Sequence, residues 1–106
     1  MKLELKSKNL ELTSAIKEYI EIKIGHLSKF VEKIENKGTE VLARVEIGRI
    51  SNHHGKGDVY RVEVNIDAPQ NIVRIEEEGS DVRALLDLVQ NKLKQLLVKY
   101  KEKKEE

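Results

Sequence analysis

The sequence predicts an α+β domain in the order strand, helix, three strands, helix, with both helices packed on one face of a four-stranded sheet. Three observations carry that reading. Apolar and polar residues alternate in four short stretches, the spacing of half-buried strands. Two longer stretches repeat their apolar residues every three or four positions, the spacing of amphipathic helices. Turn-forming residues separate the later strand segments at short intervals, which predicts an antiparallel meander.

Taken in order, Leu3 and Leu5 against Lys2, Glu4 and Lys6 predict the first strand, and the region of Asn9 a turn. Thr13 or Ser14 is placed to cap a helix whose buried stripe is Ile16, Tyr19, Ile20, Leu27, Phe30, Val31 and Ile34. Gly25 weakens that helix by roughly 1 kcal/mol relative to Ala, and Asn36, Lys37 and Gly38 are its stop signal. Val41, Ala43, Val45 and Ile47 alternate as the second strand, and Arg49 to Gly57 reads as a polar, glycine-rich loop. Tyr60, Val62, Val64 and Ile66 mark the third strand, Ala68 to Asn71 a turn, and Ile72 to Glu77 the fourth strand. Ser80 and Asp81 open the second helix, whose apolar face is Val82, Leu85, Leu86, Val89, Leu93, Leu96, Leu97 and Tyr100. It is predicted to run to about Lys103, with 101–106 a frayed, charged tail.

Composition narrows the function classes. A chain of 106 residues fits one domain, taken as 1–106. Hydrophobic residues make up 39% and charged residues 37%, enough for a core under a surface dense with charge. The absence of cysteine excludes disulfides, thiolate metal sites and cysteine nucleophiles. No apolar run is long enough to cross a bilayer, and the first ten residues alternate where a signal peptide would be continuously apolar, so a cytoplasmic protein is expected.

With 20 basic and 19 acidic side chains, the net charge is only +1, so binding a polyanion requires the charges to be sorted onto different faces. At about 100° per residue, helix 1 places His26, Lys29 and Lys33 along one flank and Glu18, Glu21, Glu32 and Glu35 along the other. Lys23 falls near the centre of the apolar face. On helix 2, Arg83, Gln90, Lys94 and Lys101 share one stripe, and Lys92 and Lys99 form a second bordering the core. Such ridges suit phosphates. The ordinary role of border lysines is to lay their stems over the core, and lysines near a helix C-terminus also complement its dipole. A lysine in mid-stripe such as Lys23 needs a further reason.

No catalytic constellation is legible. His53 and His54 are adjacent, lack the i, i+4 spacing of a helical metal pair, and read as loop residues. Glu76, Glu77 and Glu78 stand before a helix start, where carboxylates are solvated or complement the dipole. Gly48, Gly55 and Gly57 fit neither standard nucleotide-binding pattern. No enzyme activity, cofactor, metal or small-molecule substrate is therefore expected. Tyr19, Phe30, Tyr60 and Tyr100 all fall on core faces, so nucleic-acid binding would rest on shape and backbone contacts more than on stacking.

Several segments resemble one family. Lys8-Asn9-Leu10-Glu11-Leu12-Thr13 followed by Ile16 to Ile20 and Lys23 is similar to the first strand and helix of ribosome hibernation promoting factors and ribosome-associated inhibitors. Val59 to Val64 resembles the third strand of that family, and Asp81 to Asp87 with Asn91-Lys92-Leu93 and Gln95-Leu96 its second helix. The resemblance implies a β-α-β-β-β-α fold related to double-stranded RNA-binding domains. It also implies binding to small-subunit ribosomal RNA in the decoding channel, where the protein would block messenger and transfer RNA. Lys23 and Lys92 match family lysines best, and Lys99 and Lys101 match its basic helix end more loosely. Arg83 departs from the pattern, standing where the family usually has an aromatic residue. The chain also ends after helix 2, which resembles a short form or the N-terminal domain of a long one, and leaves the effect on ribosome dimerisation open.

The expected RNA-binding set is thus Lys23, Lys29, Arg83, Lys92, Lys94, Lys99 and Lys101, on a protein that is monomeric away from the ribosome and binds no membrane. The competing reading is a protein-interaction domain that binds a transcription factor or self-associates. An exposed sheet face carrying Leu42 and Ile75 would favour it.

Overall fold

The alternating stretches form β1 (Lys2–Lys8), β2 (Leu42–Ile50), β3 (Val59–Ala68) and β4 (Asn71–Gly79), which lie side by side in that order in one sheet. The computed structural model describes residues 1–35, 40–50, 57–69 and 71–105, with side chains as far as Tyr100. The expected loop histidines, His53 and His54, lie outside the described residues, as do Asn36, Lys37 and Gly38. β2, β3 and β4 form the expected antiparallel meander, with Val45 opposite Val64 and Val64 opposite Ile75. β1 instead runs parallel to β2, Leu5 opposite Val45, because the helical segment between them is a crossover connection. The chain leaves β1 through Asn9 at φ 56°, a left-handed conformation that asparagine tolerates.

The single helix expected from Thr13 to Ile34 is two: α1 (Ser14–Gly25) and the short α2 (Ser28–Glu32). The last turn of α1 tightens, Leu27 N–H donating to Ile24 O at 2.9 Å, three residues back. The helical ladder restarts when Phe30 and Val31 both donate to Leu27 O at 3.0 Å. Gly25, the poorest helix former of the segment, sits at the break. The break leaves Ile24, Leu27 and Val31 all buried, which is why the apolar spacing passes through it unchanged. Thr13 caps α1, its Oγ1 accepting from Ile16 N–H at 3.2 Å. α3 (Val82–Glu105) is capped by Asp81, whose Oδ1 accepts from Arg83 N–H at 2.9 Å and Ala84 N–H at 3.3 Å.

One face of the sheet (Ala43, Val45, Ile47, Val62, Val64, Ile66 and Val73) is buried against Ile20, Ile24 and Val31 of the first helical segment and Leu86, Leu93 and Leu97 of α3. Among the described residues no polar or charged side chain is buried, so this core is held by apolar burial alone. The other face is open and charged. Arg44 pairs with Asp67 at 2.8 Å; Arg61 reaches Glu63 at 2.9 Å and Glu76 at 2.8 Å; Arg74 reaches the same two carboxylates at 3.2 and 3.0 Å. The ladder also separates Leu42 from Ile75. Leu42, opposite Asp67, lies on the open side, and Ile75, opposite Val64, packs on the core. The shared apolar sheet face that a self-associating domain would need is not formed by these two residues, because they differ in pleat parity.

Candidate nucleic-acid interface

α3 lies along the first helical segment, and the seam between them collects side chains that are distant in sequence. On α3, Arg83, Asp87, Gln90 and Lys94 are spaced by four, three and four residues, so they share a stripe about 16 Å long. Facing them are Tyr19 and Lys23 of α1, then His26, then Lys29 and Phe30 of α2.

At the first end, Tyr19 is a half-buried ring with a cation against it from each helix. The Lys23 ammonium is 5.5 Å and the Arg83 guanidinium 5.4 Å from the ring centroid, both within cation–π range. The Tyr19 hydroxyl donates to Asp87 Oδ1 at 2.6 Å, and Lys23 Nζ lies 3.1 Å from the same oxygen. The hydrogen bond from Tyr19 and then the nearby Lys23 ammonium hold the Asp87 carboxyl below its ordinary value. The same carboxylate raises both the Tyr19 phenol and the Lys23 ammonium, chiefly by hydrogen bonding. Asp87 is therefore the reason that Lys23 stands in mid-stripe. Sequence reasoning passed over this residue, although Tyr19/Lys23 and Arg83/Asp87 are both i, i+4 pairs.

At the other end the arrangement recurs without a carboxylate. Phe30 is half-buried, with Lys29 Nζ 5.4 Å and Lys94 Nζ 5.5 Å from its centroid. Between the ends, Gln90 Nε2 lies 3.3 Å from His26 Nδ1.

Four of the seven expected residues, Lys23, Lys29, Arg83 and Lys94, are thus brought together at the seam. Lys92 and Lys99 lie on the opposite flank of α3, beside β4. Lys92 forms an ion pair with Glu77, the middle carboxylate of the acidic run, which the strand turns to the core side. Lys99 lines a surface depression with Leu96, Ile72 and Arg74, and a second one with Lys94 across the outer face of α3. Lys101 is on the helical backbone, with its side chain outside the described residues. Among the described residues no group of three or more His, Asp or Glu is placed to hold a metal, and no helix is long and apolar enough to span a membrane.

The acid response of the seam follows from its carboxylate. Because folding lowers the Asp87 value, its pairs stabilise the fold fully above the ordinary value of 3.8 and lose that contribution as pH falls through the lower folded value. Asp87→Asn should accordingly melt earlier than the parent at pH 7, and the gap should close well below pH 4. Thermal melts across that range read this directly, and a gap independent of pH would count against the pairing.

Comparison with known proteins agrees with this architecture. Residues 3–105 match the family model described as Sigma 54 modulation protein / S30EA ribosomal protein. The chain is 35% identical over 101 residues to the ribosome hibernation promotion factor of Staphylococcus aureus (strain COL), covering 95% of this chain and 48% of that protein. It is 34% identical over 101 residues to the factor of the same name from Lactococcus lactis subsp. cremoris (strain MG1363), covering 95% of this chain and 50% of that protein. The chain therefore spans about half the length of the curated relatives it matches. Among solved structures, the Protein Y N-terminal domain of Thermus thermophilus superposes with a TM-score of 0.73 at 29% identity, covering 94% of this chain and 99% of that one. A ribosomal subunit interface protein from Coxiella burnetii shares the fold, with a TM-score of 0.63 at 20% identity over 96% of this chain and 99% of that one. Matched by the family model over residues 3–105 and by a solved relative over 94% of its length, the chain belongs to the Sigma 54 modulation protein / S30EA ribosomal protein family.

Proposed function

We propose that this domain is a ribosome hibernation module that binds small-subunit ribosomal RNA in the decoding channel and inhibits translation by occupying the space of messenger and transfer RNA. The observation that carries the reading is the seam: in a chain of net charge +1, three helical elements bring four cations together against a single carboxylate. Cations spread over about 16 Å of rigid helix suit a folded phosphate backbone better than a small ligand. The names of the curated relatives, ribosome hibernation promotion factors, support the ribosome as the partner. Lys92, Lys99 and Lys101 extend the proposed surface along α3, with Lys92 first having to leave Glu77. The mechanism is steric, with no bond made or broken, in the cytoplasm and by a monomer away from the ribosome.

Co-sedimentation with purified small subunits across a salt series tests the proposal. Saturable binding that weakens steeply with salt, and that messenger RNA with initiator transfer RNA displaces, is the expected result. Binding undisturbed by those ligands would move the site out of the decoding channel. An absence of binding even at low salt would remove the reading altogether.

A further inference from the structure

The seam is not uniform. Cation pairs stand at both ends, and His26 and Gln90 fill the middle. Phosphate contacts fix where a protein sits, whereas hydrogen bonds to sugar and base decide which nucleic acid it accepts. The middle of the seam has the chemistry of the second kind.

The 3.3 Å contact joins the Gln90 amide to His26 Nδ1, with donor and acceptor set together by the ring tautomer and the amide orientation. Either way the bond leaves His26 Nε2 and the other amide atom of Gln90 without a partner among the described residues, one of them a donor and the other an acceptor. His26 is exposed and Gln90 half-exposed, so both groups are open to a ligand lying along the seam. A donor and an acceptor locked side by side complement a group that both accepts and donates. The ribose 2′-hydroxyl is such a group, and it distinguishes RNA from DNA.

We propose that the His26–Gln90 pair is the specificity element of the interface, reading a ribose 2′-hydroxyl while the flanking cation pairs hold phosphates on either side. The proposal rests on the RNA-binding reading above and names the residues that would make the binding selective for RNA. Gln90 orients the imidazole, and the break after α1 places His26 over the seam, with Lys23 and Asp87 on one side and Lys29 and Lys94 on the other.

The test uses the whole chain with two probes. One is an RNA duplex of about 16 base pairs; the other has the same sequence with 2′-O-methyl riboses, which keep the A-form shape and lose the 2′ donor. The parent should prefer the unmodified duplex by roughly 3- to 10-fold, the range of a hydrogen bond made or lost. His26→Ala with Gln90→Ala should reduce that preference towards one while leaving the salt slope unchanged, because no cation has been removed. Gln90→Asn, which keeps the amide and shortens its reach, should give an intermediate preference. A melting midpoint close to the parent's is expected, since both side chains are at the surface. A preference retained in the double variant would overturn this proposal and leave phosphate binding standing. Failure of the parent to bind either probe or the small subunit would overturn both.

Discussion

Reversing the charges of Lys29 and Lys94 together is expected to weaken binding to small ribosomal subunits by roughly 100-fold at moderate salt. The two ammonium groups come from different helices and meet at one ring, 5.4 and 5.5 Å from the Phe30 centroid. Among the described residues neither ammonium forms an ion pair with a carboxylate, in contrast to Lys23 with Asp87 and Lys92 with Glu77. Each lost phosphate contact flattens the dependence of log K on log salt by about 0.7 to 0.9. The Lys29→Glu, Lys94→Glu variant should therefore show a slope shallower by roughly 1.5, read by co-sedimentation or anisotropy across a salt series. Both residues are exposed, so its melting temperature should stay near the parent's. Reversal of Lys92 and Lys99 should have a smaller effect, because Lys92 already spends part of its charge on Glu77. Equal effects from the two pairs would remove the seam from the centre of the interface.

Leu93→Ala is expected to produce the opposite result, a fold much weakened with every cation still in place. Leu93 is fully buried under α3 and belongs to the cluster that joins helix to sheet. Truncation of a buried leucine removes its transfer free energy and leaves a cavity, together costing roughly 2–5 kcal/mol. Against a total stability of about 5–15 kcal/mol, that is a large fraction. For a domain of this size it lowers the melting midpoint on the order of 10–20 °C, measurable by circular dichroism. At temperatures where the variant remains folded, its salt slope should equal the parent's. A change in slope there would mean that the cations of α3 depend on core packing more locally than the rigid seam implies.

Much of the fold was legible in the sequence because alternation and helical spacing are both direct imprints of burial. Parity along β2 to β4, the caps at Thr13 and Asp81, and the apolar face of α3 all correspond to observed contacts. Two features of the fold were not legible. Spacing alone could not reveal the break between α1 and α2, since Ile24, Leu27 and Val31 continue to point inward through it. Nor does alternation encode whether β1 runs with or against its neighbour. Of the site, the stripes on each helix could be read, but the way they face each other could not. Spacing gave Asp87 no role of its own, and packing sets it 3.1 Å from Lys23. The run Glu76-Glu77-Glu78 read as carboxylates solvated or complementing a helix dipole, and the pleat divides it: Glu76 joins the arginines of the open face, whereas Glu77 turns towards Lys92.

The arginine–glutamate lattice on the open sheet face bears on how the domain approaches a partner as well as on how it rests there. Because the arginines and glutamates at the centre of that face pair locally, their charges largely cancel there, whereas Lys29 and Lys94 on the helical side have no such partner among the described residues. A molecule of net charge +1 built this way is only weakly drawn towards a polyanion as a whole. Near the surface, within about 10 Å at ordinary salt, it experiences a torque that turns the seam forward before contact. On the function proposed above, collisions on the sheet face would be brief and those on the helical face retained, so orientation would be selected during the encounter and without the indiscriminate adhesion of a strongly basic protein.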